Sequence, residues 1–323
     1  MKYNVVIPSY NGADLIYKNL QSVLNSLADY KSSKLTIVDD GSSEEDYKKL
    51  ESYISEVKEK TDIPIELIRK DKNSGFSSTV NRGALNSEAE YLILLNSDVS
   101  PEKNYLMSVM EDFEKNEKLF GVGCMDKSEE EAGTVFRGRG LATWSKGLLI
   151  HRKGSTEKSD TFWISGGSSI IKTEIFKKLG GFDEIYDPFY WEDIDLSYRA
   201  RKLGYELMFE NKSTVIHRHS EGAIRKNFSN KKVTKIAYRN QFIFIWKNIT
   251  DTKLVMSHLL WLPFHLIKGV LRGDNALLQG FLLALIRLPD IIKRRNNQKK
   301  YYKKSDSELL YSTNEIINNN TGI

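Results

Sequence analysis

Short apolar runs alternate with stretches of helical periodicity through the first hundred residues. Asn4–Pro8 (NVVIP) is β-branched and ends at a proline, which predicts a buried parallel strand opening into a loop. Leu15, Leu20, Val23, Leu24 and Leu27 recur at helical spacing, predicting a helix from Ala13 to Ala28. The pattern repeats: strand Leu35–Val38, helix Glu44–Lys60, strand Ile65–Arg69, loop Asp71–Gly75, a helix through Asn86, then strand Tyr91–Leu95. This β-α-β-α-β-α-β order predicts an α/β, doubly wound, mostly parallel sheet. Ligands of such sheets bind at the carboxyl ends of the strands.

Further on, Trp163–Ile171 reads as a strand interrupted at Gly166-Gly167, where backbone can approach a ligand closely. Thr173 opens a short helix that closes at Gly180-Gly181. In Tyr190–Gly204 (YWEDIDLSYRARKLG), Glu192, Asp193 and Asp195 stand behind two aromatics at the head of a helix that Gly204 ends. Acidic residues in a first turn also suit the helix dipole, so a capping role is open to them. Strands Glu206–Glu210 and Ser213–Ile216 lead to His217 and His219. Arg137, Arg139, Trp144, His151 and Arg152 fall in a less regular stretch that reads either as an acceptor groove or as a solvated hairpin.

From Ile224 the chain turns helical: Asn230–Asn248, then apolar segments Leu254–Leu271 and Ala276–Ile292. Both are near the ~17–25 residues of a bilayer span, but His258, Pro263, His265, Lys268, Arg287 and Pro289 interrupt them. A surface-lying amphipathic pair is the expectation, with a basic run, Lys293–Lys304, beside it to attract anionic lipid. Residues 1–223, 224–304 and 305–323 then divide as catalytic domain, membrane-associating region and disordered polar tail.

Composition refines this picture little. The 323 residues are 40% hydrophobic and 28% charged, with net charge +5, which fits a globular chain. A single cysteine, Cys124, excludes an internal disulfide framework and points to a reducing, cytoplasmic setting. The basic tail carries no nucleic-acid-binding module, so no nucleic acid partner is expected. The first strand leads to PSYNG rather than G-x-G-x-x-G, which disfavours a dinucleotide oxidoreductase.

Polar groups collect at the strand ends. Asp40 can accept a base imide N–H, with Gly41 and Ser42 beside it; Asn73, Gly75 and Asn81 can flank a ribose or base. Asp98, at the tip of an all-apolar strand, is a hard oxygen ligand suited to Mg²⁺ or Mn²⁺.

Taken together, VVIPSYNG, VDDGS, NSGFSSTVNRG, LLNSD, the SGGS–LGGFDE pair and WEDIDLSYRARKLGY resemble family 2 glycosyltransferases of the GT-A fold, in a rhamnosyltransferase-like branch. The likeness covers about residues 3–220. It implies a nucleotide-diphosphate sugar donor, a divalent metal and inversion at the anomeric carbon. Pro8, Tyr10, Asn11, Asn96, Ser97, Gly166 and Gly167 join the donor set on this basis. Asp98 corresponds to the last Asp of a D-x-D metal motif whose first position is Asn96 here, and His217 to an additional metal or phosphate contact. Asp193 is implied as general base, with Glu192 orienting it. Asp195 is expected to cap the helix or pair with Arg199. The acceptor implied is a lipid-linked glycan in cell-surface polysaccharide synthesis, with the enzyme peripheral on the inner membrane face. The alternative is a nucleotide-binding or membrane-docking protein that has lost catalysis, for which Asn96 is the argument.

Overall fold

A computed structural model describes residues 1–130, 133–217 and 228–310. Four parallel strands form its first half: β1 (Tyr3–Ser9), β2 (Ser33–Asp39), β3 (Ile65–Arg69) and β4 (Tyr91–Leu95). Helices α1 (Ala13–Leu27), α2 (Glu44–Lys58) and α3 (Phe76–Ala84) connect them, each ending within two residues of its sequence-based limit. β5 (Val99–Pro101), α4 (Tyr105–Lys115) and the long β6 (Leu119–Glu130) follow.

The sheet order is β3-β2-β1-β4-β10-β6-β11-β5, where β10 is Ser168–Lys172 and β11 is Glu206–His217. β10 runs antiparallel to both β4 and β6, so the sheet is mixed. The expected strand Trp163–Ile171 is shorter than its apolar run: it begins only at Ser168, and Gly166-Gly167 form a turn before it. That turn is pinned to the end of β4 by the Asn96 N–H donating to Gly167 O (2.9 Å). A Cβ on Gly167 would lie 2.4 Å from the Asn96 side-chain amide, so a larger residue there would displace Asn96. β11 is one strand with a bulge between Glu210 and Thr214, which joins the two segments read separately.

The irregular stretch is built of hairpins. β7 (Gly133–Arg137) extends β6, and β8 (Gly140–Ser145) pairs with β9 (Leu148–Lys153) as a separate ribbon. Arg139 is not a groove residue: it is buried, paired with Asp160 at 2.7 Å and bonded to backbone carbonyls. After β10 come α5 (Thr173–Lys178), a 3-10 turn at Glu184–Tyr186 and α6 (Glu192–Lys202).

Four helices end the described chain: α7 (Asn230–Asn248), α8 (Thr252–Leu271), α9 (Asn275–Ile286) and α10 (Leu288–Lys299). The apolar segment Ala276–Ile292 is thus two helices meeting at a 65° bend. α7 is anything but a surface appendage. Phe242, Ile243, Phe244 and Ile245 are buried in one cluster with Ala142 and Leu149 of the ribbon, Trp191 just before α6, and Ile194 and Tyr198 of α6. The polar tail also begins ordered: residues 306–310 make a helical turn, and Asp306 is fully buried against Lys202 (2.7 Å) and the Tyr198 hydroxyl (2.6 Å). Residues 311–323, the rest of that expected tail, and His219 lie outside the described residues.

Candidate active site

The ends of β1, β2 and β4 and the turn into β10 meet at one border of the sheet. Asn11, at the tip of β1 with φ 47°, donates its N–H to Ser42 Oγ (2.8 Å) and accepts from Ser43 N (2.9 Å). The first two loops are therefore locked together beside the half-buried Pro8 and Tyr10. Ser97 approaches from β4; its carbonyl accepts from Asn19 of α1 (2.8 Å).

Asp40 is buried, and both its oxygens are engaged within the chain. Lys70 Nζ lies at 2.7 Å, and the Ser74 and Gly75 amides donate at 2.9 Å each. It fastens the β3–α3 loop, with Asn73 and Gly75 (φ 106°), to the loop after β2 that carries Gly41 (φ 68°). Asn73 itself is exposed. Asn81 departs from its expected place beside a ribose. Its amide donates to Phe182 O (2.8 Å) and Glu184 Oε1 (3.1 Å), and its Oδ1 accepts from Phe182 N (2.9 Å). It is a clamp between α3 and the loop after α5, because its helical position faces that loop.

Asp98 is buried at the tip of β4, and His217 ends β11 across from it. His217 Nε2 lies 3.3 Å from Asp98 Oδ1, and its Nδ1 lies 2.9 Å from Asp126 Oδ2. Burial opposes charge on this ring, yet the hydrogen bonds to Asp126 and Asp98 raise its pKa to about 9. Among the described residues no group of three or more His, Cys, Asp or Glu is set to hold a metal. The chemistry of the pair nonetheless fits a divalent ion: one carboxylate and one imidazole oriented by a second carboxylate, leaving further positions for diphosphate oxygens and water. Asp126 was invisible to motif reading because it sits inside an ordinary strand.

The acidic pair stands across the Gly166-Gly167 turn. Asp193 is half-buried at the head of α6 and accepts hydrogen bonds from Ile194 N (2.7 Å) and Gly166 N. Burial pushes its pKa up to about 6 against those bonds. Glu192 is buried beside it. Burial first, then the Asp193 charge, raises its pKa well above the usual carboxylate range, and its Oε2 has no hydrogen-bond partner. Neither residue caps the helix. The N-cap is Trp191 at φ 77°, preceded by Tyr190 at φ 72°, two consecutive left-handed side-chain-bearing residues. Such strain marks functional sites when the surroundings enforce it.

Asp195 takes the pairing role. It is fully buried, with Arg199 Nε at 2.7 Å, Lys247 Nζ at 2.7 Å, the Tyr186 hydroxyl at 2.8 Å and the Asn248 amide at 2.7 Å. Burial would raise its pKa, but Lys247 and Arg199 hold it far below the usual range. His151 of β9 packs edge-on against Trp163 (5.5 Å) and Trp191 (5.3 Å), forming an aromatic wall next to the acidic pair.

The sequence model for glycosyl transferase family 2 matches residues 4–180, which carry the loops after β1 to β4 and the Gly166-Gly167 turn but stop short of the Glu192–Asp193 pair and His217. The chain belongs to that family. Curated relatives include a Drosophila melanogaster N-acetylgalactosaminyltransferase 6, 26% identical over 63% of this chain and 32% of its own length. A poly-beta-1,6-N-acetyl-D-glucosamine synthase of Staphylococcus epidermidis is 24% identical over 64% of this chain and 47% of its own. This chain thus spans a third to a half of the length of these relatives. Among solved structures, GalNAc-T7 with UDP, GalNAc and Mn²⁺ superposes with TM-score 0.61 at 19% identity, over 78% of this chain and 48% of that one. S. aureus TarS 1-349 in complex with UDP gives 0.55 at 16% identity, over 93% and 91%. These neighbours establish the GT-A fold for the family 2 chain. They do not specify a rhamnosyltransferase-like branch.

Proposed function

We propose that this chain is an inverting glycosyltransferase that moves a sugar from a nucleotide diphosphate to a hydroxyl of a glycan acceptor, with Asp193 as general base. The observation carrying this reading is the placement of Asp193 and the buried Glu192, two carboxyl groups whose pKa values burial raises, across a glycine turn from Asn96. An acceptor oxygen attacks the anomeric carbon on the face opposite the leaving diphosphate, and Asp193 takes its proton as the bond forms. Asp98 and His217 would hold a divalent ion, which supplies charge neutralisation on the departing diphosphate. Relatives in complex with UDP, or with GDP-Man and Mn²⁺ as in the Pyrobaculum calidifontis mannosyltransferase, support this donor class and this metal.

The test is a thermal-unfolding panel of nucleotides and nucleotide sugars with and without Mn²⁺. A true donor at a hundred times its Kd stabilises the folded protein by about 2.7 kcal/mol. Asp98→Ala is expected to abolish the Mn²⁺-dependent part of that shift and His217→Ala to reduce it. No shift from any nucleotide retires the proposal in favour of a chain without donor binding.

The acceptor is proposed to be lipid-linked, because α8 and α9 leave an apolar face open. Leu260, Ile267, Leu271 and Ile286 are 74, 60, 81 and 75% exposed. α8 is long and apolar enough to cross a membrane, yet it rests on the β8–β9 ribbon. His258 bonds Gly147 O (2.7 Å), His265 bonds Lys146 O (2.7 Å), and Trp144 donates to Ser257 (3.2 Å). Held at Ser257, His258 and His265 in this way, α8 is proposed to lie on a bilayer rather than through it. Of the basic run, Arg294 pairs with Asp183 and Arg295 donates to Trp246 O and Ile249 O, so the lysines carry the lipid attraction. The full chain is expected to float with anionic liposomes and to be only partly released by 1 M salt, which contracts the Debye length to about 3 Å. Complete release by salt, or no flotation, assigns the apolar face to a protein partner.

A further inference from the structure

The strain at Tyr190 and Trp191 needs a cause, and it lies on α7. Asn240 is fully buried, and its Nδ2 donates to three carbonyls of the loop before α6: Tyr186 O (2.8 Å), Phe189 O (2.9 Å) and Tyr190 O (2.8 Å). Which way this amide faces is fixed by its neighbour, since Arg239 Nε donates to Asn240 Oδ1 (2.8 Å). Arg239 adds its own bonds from Nη2 to Tyr186 O (2.9 Å) and Asp187 O (2.6 Å). Two hydrogens of one side chain thus serve three carbonyls, while Trp191 is pressed onto Phe244 of the same helix (5.3 Å). An L-residue in the left-handed region persists only where its surroundings over-determine it. Directly after the second strained residue come Glu192 and Asp193.

We infer that Asn240 is a positioning residue for the transfer reaction: it holds the left-handed Tyr190–Trp191 pair and through it aims the acidic pair at the acceptor. This rests on the proposed role of Asp193. Among the described residues Asn240 makes no hydrogen bond to a donor loop, and the Asp187 and Pro188 contacts to the Phe76, Ser77 and Ser78 amides are still braced by Arg239 when Asn240 is changed, so its main effect is expected on turnover rather than on donor binding. The charged groups around the Glu192–Asp193 pair are Asp187 from the preceding loop and Asp195, itself paired by Lys247 of α7 and Arg199 of α6. None of these is removed by changing Asn240, so a moved pH profile reports the loop rather than a lost charge.

The experiment compares initial rates, with nucleotide sugar and acceptor, for the intact chain, Asn240→Ala, Tyr190→Gly and the double variant. Asn240→Ala is expected to lower kcat roughly 10²-fold, the scale of a misplacement near 1 Å, with donor KM little changed. The acidic limb of its rate profile should move from about pH 6 toward the ordinary carboxylate range as the pair loosens. Glycine takes a φ of +72° without cost, so Tyr190→Gly should recover about tenfold of the turnover lost in Asn240→Ala. A simple packing defect would lower the rate without moving the limb and without rescue by glycine. Either of those results, or an Asn240→Ala rate near that of the intact chain, overturns the inference. If Asn240→Ala does not fold, Arg239→Lys keeps the charge but removes the bond that orients the amide, and the same two readouts decide. Asp193→Asn run in parallel separates the claims: an active Asp193→Asn defeats the base assignment, whereas an inactive one beside an unaffected Asn240 variant defeats only this inference.

Discussion

Asp193→Asn is expected to fold, to bind donor, and to transfer sugar roughly 10²–10⁴-fold more slowly than the intact chain. Asparagine keeps the shape and can still accept the Gly166 and Ile194 amides through its oxygen, but it cannot take a proton from the acceptor hydroxyl. In the intact chain transfer should rise with pH through about 6, where burial has placed the Asp193 pKa, because only the ionised carboxylate serves as base. The neighbouring Glu192 has its own pKa raised, by burial first and then by the Asp193 charge. A base this close to working pH is efficient because it is both ionised and basic. Steady-state rates at saturating donor and acceptor, with circular dichroism as the folding control, check this. A near-native rate would remove Asp193 from the mechanism.

Lys247→Ala is expected to cost about 3–5 kcal/mol of stability, the usual consequence of removing one partner from a buried ion pair. Lys247 is fully buried and bridges Asp183 and Asp195, tying α7 to the loop after α5 and to α6. Without it, Asp195 keeps Arg199, Tyr186 and Asn248 but loses its second positive partner in a fully buried site. The pH dependence has a definite sign. The depressed folded pKa of Asp195 contributes stability at neutral pH that is lost as pH falls through the ordinary carboxylate range, near 4, toward the folded value. The deficit of Lys247→Ala should therefore be largest at neutral pH and shrink as the solution is acidified below about 4. Denaturant midpoints at pH 7 and pH 3.5 measure it. A loss under about 1 kcal/mol at pH 7 would mean that α7 does not support the catalytic helix electrostatically.

The same contacts bear on where the catalytic unit ends. Hydropathy and composition drew a line at 223/224, but the packing runs across it. Asn240, Lys247 and Phe244 of α7 contact the strained loop, Asp195 and Trp191, while Asp306 satisfies Lys202 and Tyr198. A chain cut before Ile224 would leave Lys202 without Asp306 and Asp195 without Lys247, so it is expected to be less stable than the full chain.

The sequence alone determined the strand–helix alternation, the loops at the strand ends and the acidic stretch at the head of α6. Those features are local: periodicity, proline and glycine punctuation and short motifs act within a few residues of the chain. It also pointed to Asp98, which follows the all-apolar strand YLILL, while His217 was put forward by the family resemblance. What it could not decide were pairings between distant residues. That Asp126 orients His217, that Asp40 and Asn81 are bonded within the chain, and that Asp195 answers to Lys247 depend on separations of tens of residues closing to hydrogen-bond distance. The direction of β10 and the left-handed Tyr190–Trp191 pair belong to the same class. No local preference favours two bulky residues at positive φ. Contacts from a helix fifty residues away, the buried Asn240 amide on the Phe189 and Tyr190 carbonyls and Phe244 on Trp191, accompany that conformation, and no local signal announces them.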